Sequence, residues 1–344
     1  MREINIPSLG GSVHRVPGAV HLLPGRGATW DGWFAIGIFP AGSPLRWAKA
    51  HFFRKGGPAG WHPLSAVECL VESEVMLSWA TDDGVETFTS KVDPGPLQAS
   101  TDSVRVSLPG RFALAGSRPH YGMSFSLPES GSGASFDFQA SWPIWWARYG
   151  RLLSYVGQHS TLRLTLWRGE TEETHAGFGV IEHVSGTSLP FDFTRRFPFG
   201  YHWDVLAFHT PGGRAESAAG LSISLKGEPF LGLKAAARLP GRNEVPMRGL
   251  SLRYLEFATV SGPDGRESLV PTSWEGVMRD SLGEFRYVAR AATPVAPVLP
   301  GGGFLGFEFE GAYHHPYRGS TCWSGTGFTE YADFSGELAQ RLRA

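Results

Sequence analysis

Hydrophobic and polar positions alternate along much of the chain with a period of two, which sets successive side chains on opposite faces of a strand. The pattern is plainest at Val104/Val106/Leu108, Phe136/Phe138, Leu162/Leu164/Leu166 and Leu221/Ile223/Leu225, each with polar residues between. Such runs predict half-buried strands. Trp30 to Phe39 (WDGWFAIGIF) is dense in aromatics and broken by two glycines, which favours a strand over a helix. His51-Phe52-Phe53-Arg54, Val85-Glu86-Thr87-Phe88 and Phe304 to Phe309 (FLGFEF) read as further strands, the last behind a loop from Pro294 to Gly303. Turn signals punctuate them at Gly56-Gly57-Pro58, Asp82-Asp83-Gly84, Arg168-Gly169-Glu170 and Pro263-Asp264-Gly265. Only the tail, Ser335 to Ala344, predicts a helix, with Ser335 as its cap and Glu337 in its first turn. The expected class is all-β.

One stretch occurs twice. Ala176-Gly177-Phe178-Gly179-Val180-Ile181-Glu182-His183 has a counterpart in Ser324-Gly325-Thr326-Gly327-Phe328-Thr329-Glu330-Tyr331, 148 positions later. That period is too long for a solenoid and suits a duplicated domain. It predicts two similar β-rich lobes, each with a Gly-x-Gly strand whose glutamate is placed in the same way. The glycines predict close backbone approach or a bulge. Tyr201-His202-Trp203-Asp204 repeats the Trp-Asp of Trp30-Asp31, a second correspondence. The lobes are expected over residues 1–190 and 191–344, joined by the Gly-, Pro- and Phe-rich segment Ser185 to Gly200, whose phenylalanines imply that it packs.

Composition narrows the partners. Among 344 residues, Lys plus Arg total 31 against 32 for Asp plus Glu, so no net field exists to hold a polyanion, and nucleic acid is not expected. The first twenty residues carry no apolar run of signal-peptide length and no stretch approaches a membrane span, so a soluble, cytoplasmic protein is expected. Cys69 and Cys322 fall one in each lobe, and no disulfide framework is indicated. The 45 Gly, 25 Pro, 12 Trp and 23 Phe suit a many-stranded fold around an apolar interior able to hold a hydrophobic small molecule. Oligomeric state is left open.

Candidate chemistry follows from titratable groups on these strands. Glu182 and Glu330 are candidate general acids or bases if they enter a dry interior, since desolvation favours a protonated carboxyl. The plainer alternative is a structural pair, each glutamate holding a turn or an arginine. His183 beside Glu182 points to the opposite face of the strand, so the two are not a dyad. His202, Asp204 and His209 cluster at the opening of the second lobe, where His202 and Asp204 share a face and a carboxylate can fix the tautomer of an imidazole; the alternative is an edge pair facing water. His51 completes the candidate catalytic set. Trp30, Trp33, Tyr155 and Trp203, with the cluster Trp142, Trp145 and Trp146, are candidate walls of a binding site or ordinary core. His51, His62, His314 and His315 show no metal-ligand spacing, so no metal is expected. A Gly-x-Ser-x-Gly elbow and a Gly-rich loop between strand and helix are both missing, which removes serine hydrolase, Rossmann and P-loop readings and leaves no cofactor expected.

Gly325-Thr326-Gly327-Phe328-Thr329-Glu330-Tyr331 is similar to the Gly-x-Gly-Tyr-(Val/Leu)-Glu segment near the C-terminus of the double lipocalin-like (calycin) family. That family includes carotenoid hydratases (hydroxyneurosporene synthase), AttH-type proteins and lipocalin-like Diels-Alderases. The Trp-containing strand that opens each lobe adds to the resemblance. It implies two calycin barrels side by side, a hydrophobic pocket, and cofactor-free acid/base or cyclisation chemistry on long unsaturated substrates. The hydratases' acidic catalytic segments have no counterpart here, so no catalytic residue carries over. The expected function is a cofactor-independent hydratase or cyclase acting on an isoprenoid- or polyketide-like molecule. The alternatives are a non-catalytic carrier of a lipid or pigment, and a carbohydrate-binding or glycoside-acting β-sandwich.

Overall fold

The computed structural model describes residues 30–55, 73–93, 98–100, 104–117, 119–140, 145–149, 153–186, 199–209, 216–225, 228–240, 245–247, 249–262, 265–299, 301–334 and 336. These form two antiparallel sheets. The first contains β1 (Trp30–Ile38), β2 (Leu45–Lys55), β3 (Glu74–Thr81), β4 (Val85–Lys91), β5 (Gln98–Ser100), β6 (Val104–Leu108), β7 (Phe112–Ser117), β8 (His120–Leu127), β9 (Ser132–Ala140), β10 (Trp145–Tyr149), β11 (Leu153–Arg168) and β12 (Thr171–Gly186). The second contains β13 (Phe199–Phe208), β14 (Ser217–Leu225), β15 (Glu228–Arg238), β16 (Val245–Met247), β17 (Leu250–Ser261), β18 (Glu267–Arg279), β19 (Glu284–Ala291), β20 (Ala296–Leu299), β21 (Gly302–His315) and β22 (Gly319–Asp333).

The first sheet runs β4-β3-β2-β1-β12-β11-β9-β8-β7-β6-β5, with β10 on β11; the second runs β16-β15-β14-β13-β22-β21-β19-β18-β17, with β20 on β21. Apart from β5 and β6 the second order repeats the first, down to the short side strand. Both sheets curl: β8 comes back against β2, β3 and β4, while β17 meets β14 and β15. The result is two half-barrels, the all-β double architecture expected. No helix among the described residues is long and apolar enough to cross a membrane.

Alternation explains three cores. Trp33, Ala35 and Ile181 turn into the first half-barrel, and Leu206, Phe208 and Tyr331 into the second. Their sequence neighbours Ile36, Ile38 and Val180 meet Trp203, Val205, Phe304 and Phe328 in a third core between the sheets. Both faces of β1 are therefore buried, which is why it reads as a nearly continuous apolar run. Trp47 stitches the seam: its Nε1 donates to Thr293 Oγ1 at 3.2 Å, and its Cδ1 lies 2.7 Å from where a Cβ on Gly306 would stand. Thr326 Oγ1 donates to the carbonyl of Phe39 at 3.1 Å across the same seam.

The Gly-x-Gly motifs are sites of close approach. A Cβ on Gly179 would meet the Phe138 ring at 2.8 Å, and one on Gly327 the Phe307 ring at 2.2 Å. The hairpin at Gly169 has φ of 56°, where a side chain would be strained. Two expectations are corrected. The expected loop Pro294 to Gly303 contains β20, because Ala296 and Leu299 pair onto β21. The Trp-Asp correspondence also fails: Trp203 lies opposite Glu330, but the residue opposite Glu182 is Phe34, so Trp30 is not the counterpart of Trp203. The expected division at 190/191, most of the linker, the Gly56-Gly57-Pro58 turn and the C-terminal helix, apart from Gly336, lie outside the described residues.

Candidate functional site

Both motif glutamates turn away from their half-barrels, toward the seam. Glu182 stands opposite Phe34 of β1, and Glu330 opposite Trp203 of β13. Each receives a tyrosine hydroxyl: Tyr155 donates to Glu182 Oε1 and Tyr201 to Glu330 Oε1. Tyr155 reaches in from β11 and Tyr201 from β13, so the repeated carboxylate is served from different neighbours. Lys49 of β2 donates to Glu330 Oε2 and ties one sheet to the other. Its side chain is 2% exposed. The ammonium lies 3.9 Å from the centroid of Phe304, 5.4 Å from Phe34 and 5.7 Å from Phe328, so ring faces and a carboxylate replace its lost hydration.

The ladders line these groups into two facing rows. Met76, His51, Phe34 and Glu182 stand side by side on β3, β2, β1 and β12. Leu221, Trp203, Glu330 and Phe304 do so on β14, β13, β22 and β21. His51 sits edge-on to Phe34 at 5.6 Å between ring centroids, and its Nε2 is 3.0 Å from Glu74 Oε1. Glu182 is buried, whereas Phe34, Tyr155, Tyr201 and Glu330 are only half-buried, so solvent reaches this part of the seam. Farther along the same face, His159 of β11 is wholly buried, with Nδ1 2.8 Å from Ser217 Oγ of the second sheet. Burial drives its pKa down to about 3.

His202 and Asp204 turn the other way, into the second half-barrel, and are not an edge pair facing water. His202 Nε2 is 2.8 Å from Asp204 Oδ1 and 3.0 Å from Thr329 Oγ1; Trp274 Nε1 donates to Asp204 Oδ2 at 2.8 Å, and Tyr287 donates to the same oxygen. Burial first, and then the charge of Asp204, push the Tyr287 hydroxyl far above its ordinary value. The first half-barrel holds a comparable pair: His183 Nε2 is 3.1 Å from Asp31 Oδ1, Arg54 donates to Asp31, and Trp33 stacks on His183 at 4.9 Å. His183 and Glu182 thus occupy opposite faces, as adjacent strand residues must.

Of the other candidates, Trp203 belongs to the seam, edge-on to Phe328 at 6.4 Å. Trp33 is enclosed in the first half-barrel against Phe52, and Trp30 stacks on Phe53 at 5.8 Å. His209 is exposed just beyond β13, beside Glu275, Arg286 and Trp323 in a surface depression of about 820 Å³. Trp145 and Trp146 lie on β10, their side chains outside the described ones; Trp142 and Cys69 are also outside, and Cys322 is a free, exposed thiol. Among the described residues no three His, Cys, Asp or Glu side chains gather as a metal-binding group. Lys49, Glu74, Tyr201 and Phe34 were not singled out from the sequence. A signal existed for Lys49: a lysine set between Ala48 and Ala50, with Trp47 two residues before it, is out of place on a buried face unless paired.

Two solved structures share this architecture. A protein from Nitrosomonas europaea with the provisional name AttH matches over 90% of this chain and 94% of its own, with a TM-score of 0.59 and 12% identity. Kievitone hydratase from Nectria haematococca matches over 95% of each chain, with a TM-score of 0.61 and 13% identity. The fold is accordingly double lipocalin-like. No protein-family model matches the sequence. No curated protein matches it either.

Proposed function

We propose that this protein is a cofactor-independent acid/base enzyme, a hydratase or cyclase, acting on a hydrophobic unsaturated small molecule held in the seam. The observation that carries this reading is the pairing of a carboxyl with a tyrosine, Glu182 with Tyr155, beside the Phe34 ring on a face where the second sheet presents Trp203 and Phe304. Carboxyl groups set against apolar walls act as proton donors at neutral pH in several enzymes. In the proposed reaction the Glu182 carboxyl gives its proton to one alkene carbon, and the cation left at the neighbouring carbon faces aromatic rings. Water then forms a C–O bond to that carbon and releases a proton to a base, giving an alcohol; an internal nucleophile in place of water closes a ring. Tyr155 orients the carboxyl. The fold shared with a kievitone hydratase supports the hydratase branch.

The test uses kievitone and an acyclic carotenoid as probes, with turnover read by mass spectrometry as uptake of ¹⁸O from labelled water. Glu182→Gln is expected to lower turnover by about 10²–10⁴-fold while affinity, read by tryptophan quenching, stays within a few-fold. Tight binding of a probe with no product would make the protein a carrier, and an unimpaired Glu182→Gln would remove Glu182 as the acid.

A further inference from the structure

We propose that His51, oriented by Glu74, is the base of the seam: its Nδ1 receives a proton from the water that adds to the substrate. The inference rests on the hydration reading above and assigns the base that reading leaves open.

On β2, Trp47, Lys49 and His51 share the face turned to the second sheet, so the imidazole belongs to the seam and not to the half-barrel interior. Its Nε2 is 3.0 Å from Glu74 Oε1, and both side chains are 7% exposed. An ionised carboxylate only accepts, so the hydrogen of a neutral imidazole lies on Nε2 and the lone pair on Nδ1. That Nδ1 is buried with no hydrogen-bond partner among the described residues. A buried acceptor left unmatched is unfavourable, and such exceptions call for an explanation. A bound water or substrate hydroxyl supplies one.

Placement fits the chemistry. His51 and Glu182 flank Phe34 on the neighbouring strands, which puts their backbones about 10 Å apart, two strand spacings. A planar alkene over Phe34 then has the acid toward one side and the base toward the other. The step balances: Glu182 loses a proton to carbon, the water oxygen bonds to the adjacent carbon, and one of its O–H bonds breaks toward Nδ1. The imidazolium returns that proton to Glu182 through solvent, and the net change is addition of water. Glu74 acts through His51 and is a positioning residue.

Two measurements test this. Nitrogen-15 spectra of the full chain at pH 7, assigned with His51→Gln, should show His51 protonated on Nε2 alone, and Glu74→Gln should abolish that single tautomer. An Nδ1-protonated ring, or a resting imidazolium, would overturn the proposal. In the hydration assay, with whichever probe is turned over, His51→Gln should lower kcat by about 10²–10⁴-fold with KM little changed, and added imidazole should restore part of the turnover of His51→Ala. Hydration by the parent with Glu182→Gln dead and His51→Gln intact would remove His51 while leaving the seam acid in place. A parent that hydrates neither probe would sink the hydration reading itself, and the base with it.

Discussion

Lys49 of the first sheet and Glu330 of the second form an ion pair whose partners are unequally buried, 2% exposed for the lysine side chain against 18% for the glutamate. Breaking an enclosed pair from one side leaves the other charge without compensation, at a cost of about 3–5 kcal/mol when that charge is fully enclosed. Glu330→Gln strands an ammonium that water scarcely reaches; Lys49→Met strands a carboxylate that water reaches and that keeps Tyr201. Urea unfolding should therefore show Glu330→Gln as the more damaging change, with Lys49→Met/Glu330→Gln recovering part of the loss. Strictly additive losses in the double variant would mean the pair is not coupled.

Gly306 should tolerate no side chain. Its missing Cβ is the space occupied by the Trp47 ring, and the Thr293 methyl group stands 3.2 Å from the same point. Gly306→Val should cost about 1–3 kcal/mol by overpacking the seam. If its urea midpoint equals the parent's, the two sheets are not docked through Trp47 as described.

Stability should fall in acid partly through His159. Burial lowers its pKa from 6.5 to about 3, so between those values the unfolded chain binds the proton and the folded chain does not. The contribution is full above pH 6.5 and is lost progressively as pH falls toward 3, by about 1.4 kcal/mol per pH unit. Two groups that it touches, Ser217 and Phe178, do not titrate in this window. His159→Gln should flatten the dependence of unfolding free energy on pH between 6.5 and 4. Parallel curves for parent and variant would place the pH sensitivity elsewhere.

Asp204 should be a linchpin of the second half-barrel. Its two oxygens accept from His202, Trp274 and Tyr287, and an asparagine offers one acceptor oxygen and turns two hydrogens toward those donors. Asp204→Asn should cost about 3 kcal/mol and perturb the near-ultraviolet dichroism of Trp274. A loss below about 1 kcal/mol would mean that the network is not needed to order that core.

Much of the fold was legible because a strand's side-chain period is two. Leu162, Leu164 and Leu166 announce one buried face, and they do line the first half-barrel. The repeated Gly-x-Gly motif made Glu182 and Glu330 equivalent, and the same periodicity separated Glu182 from His183. It failed where both faces of a strand are buried. On β1, Trp33 and Phe34 are both aromatic, yet one closes a half-barrel and the other meets the seam, and nothing in local spacing distinguishes them.

The partners of the two glutamates belong to tertiary structure. Tyr155 lies 27 residues from Glu182, Tyr201 lies 129 from Glu330, and Lys49 lies 281 from Glu330. Alternation carries information over a strand's length, since it arises from the pleat of one backbone. Which distant strand comes opposite a given face depends on how far each sheet curls and how the two then dock. Those are set by the summed packing of Trp47 on Gly306, Phe304 on Phe328 and their neighbours. The repeat therefore encodes the position of each carboxyl group, while the tyrosine and imidazole beside it come with the pairing of strands within its own sheet, and the lysine with the meeting of two curved surfaces.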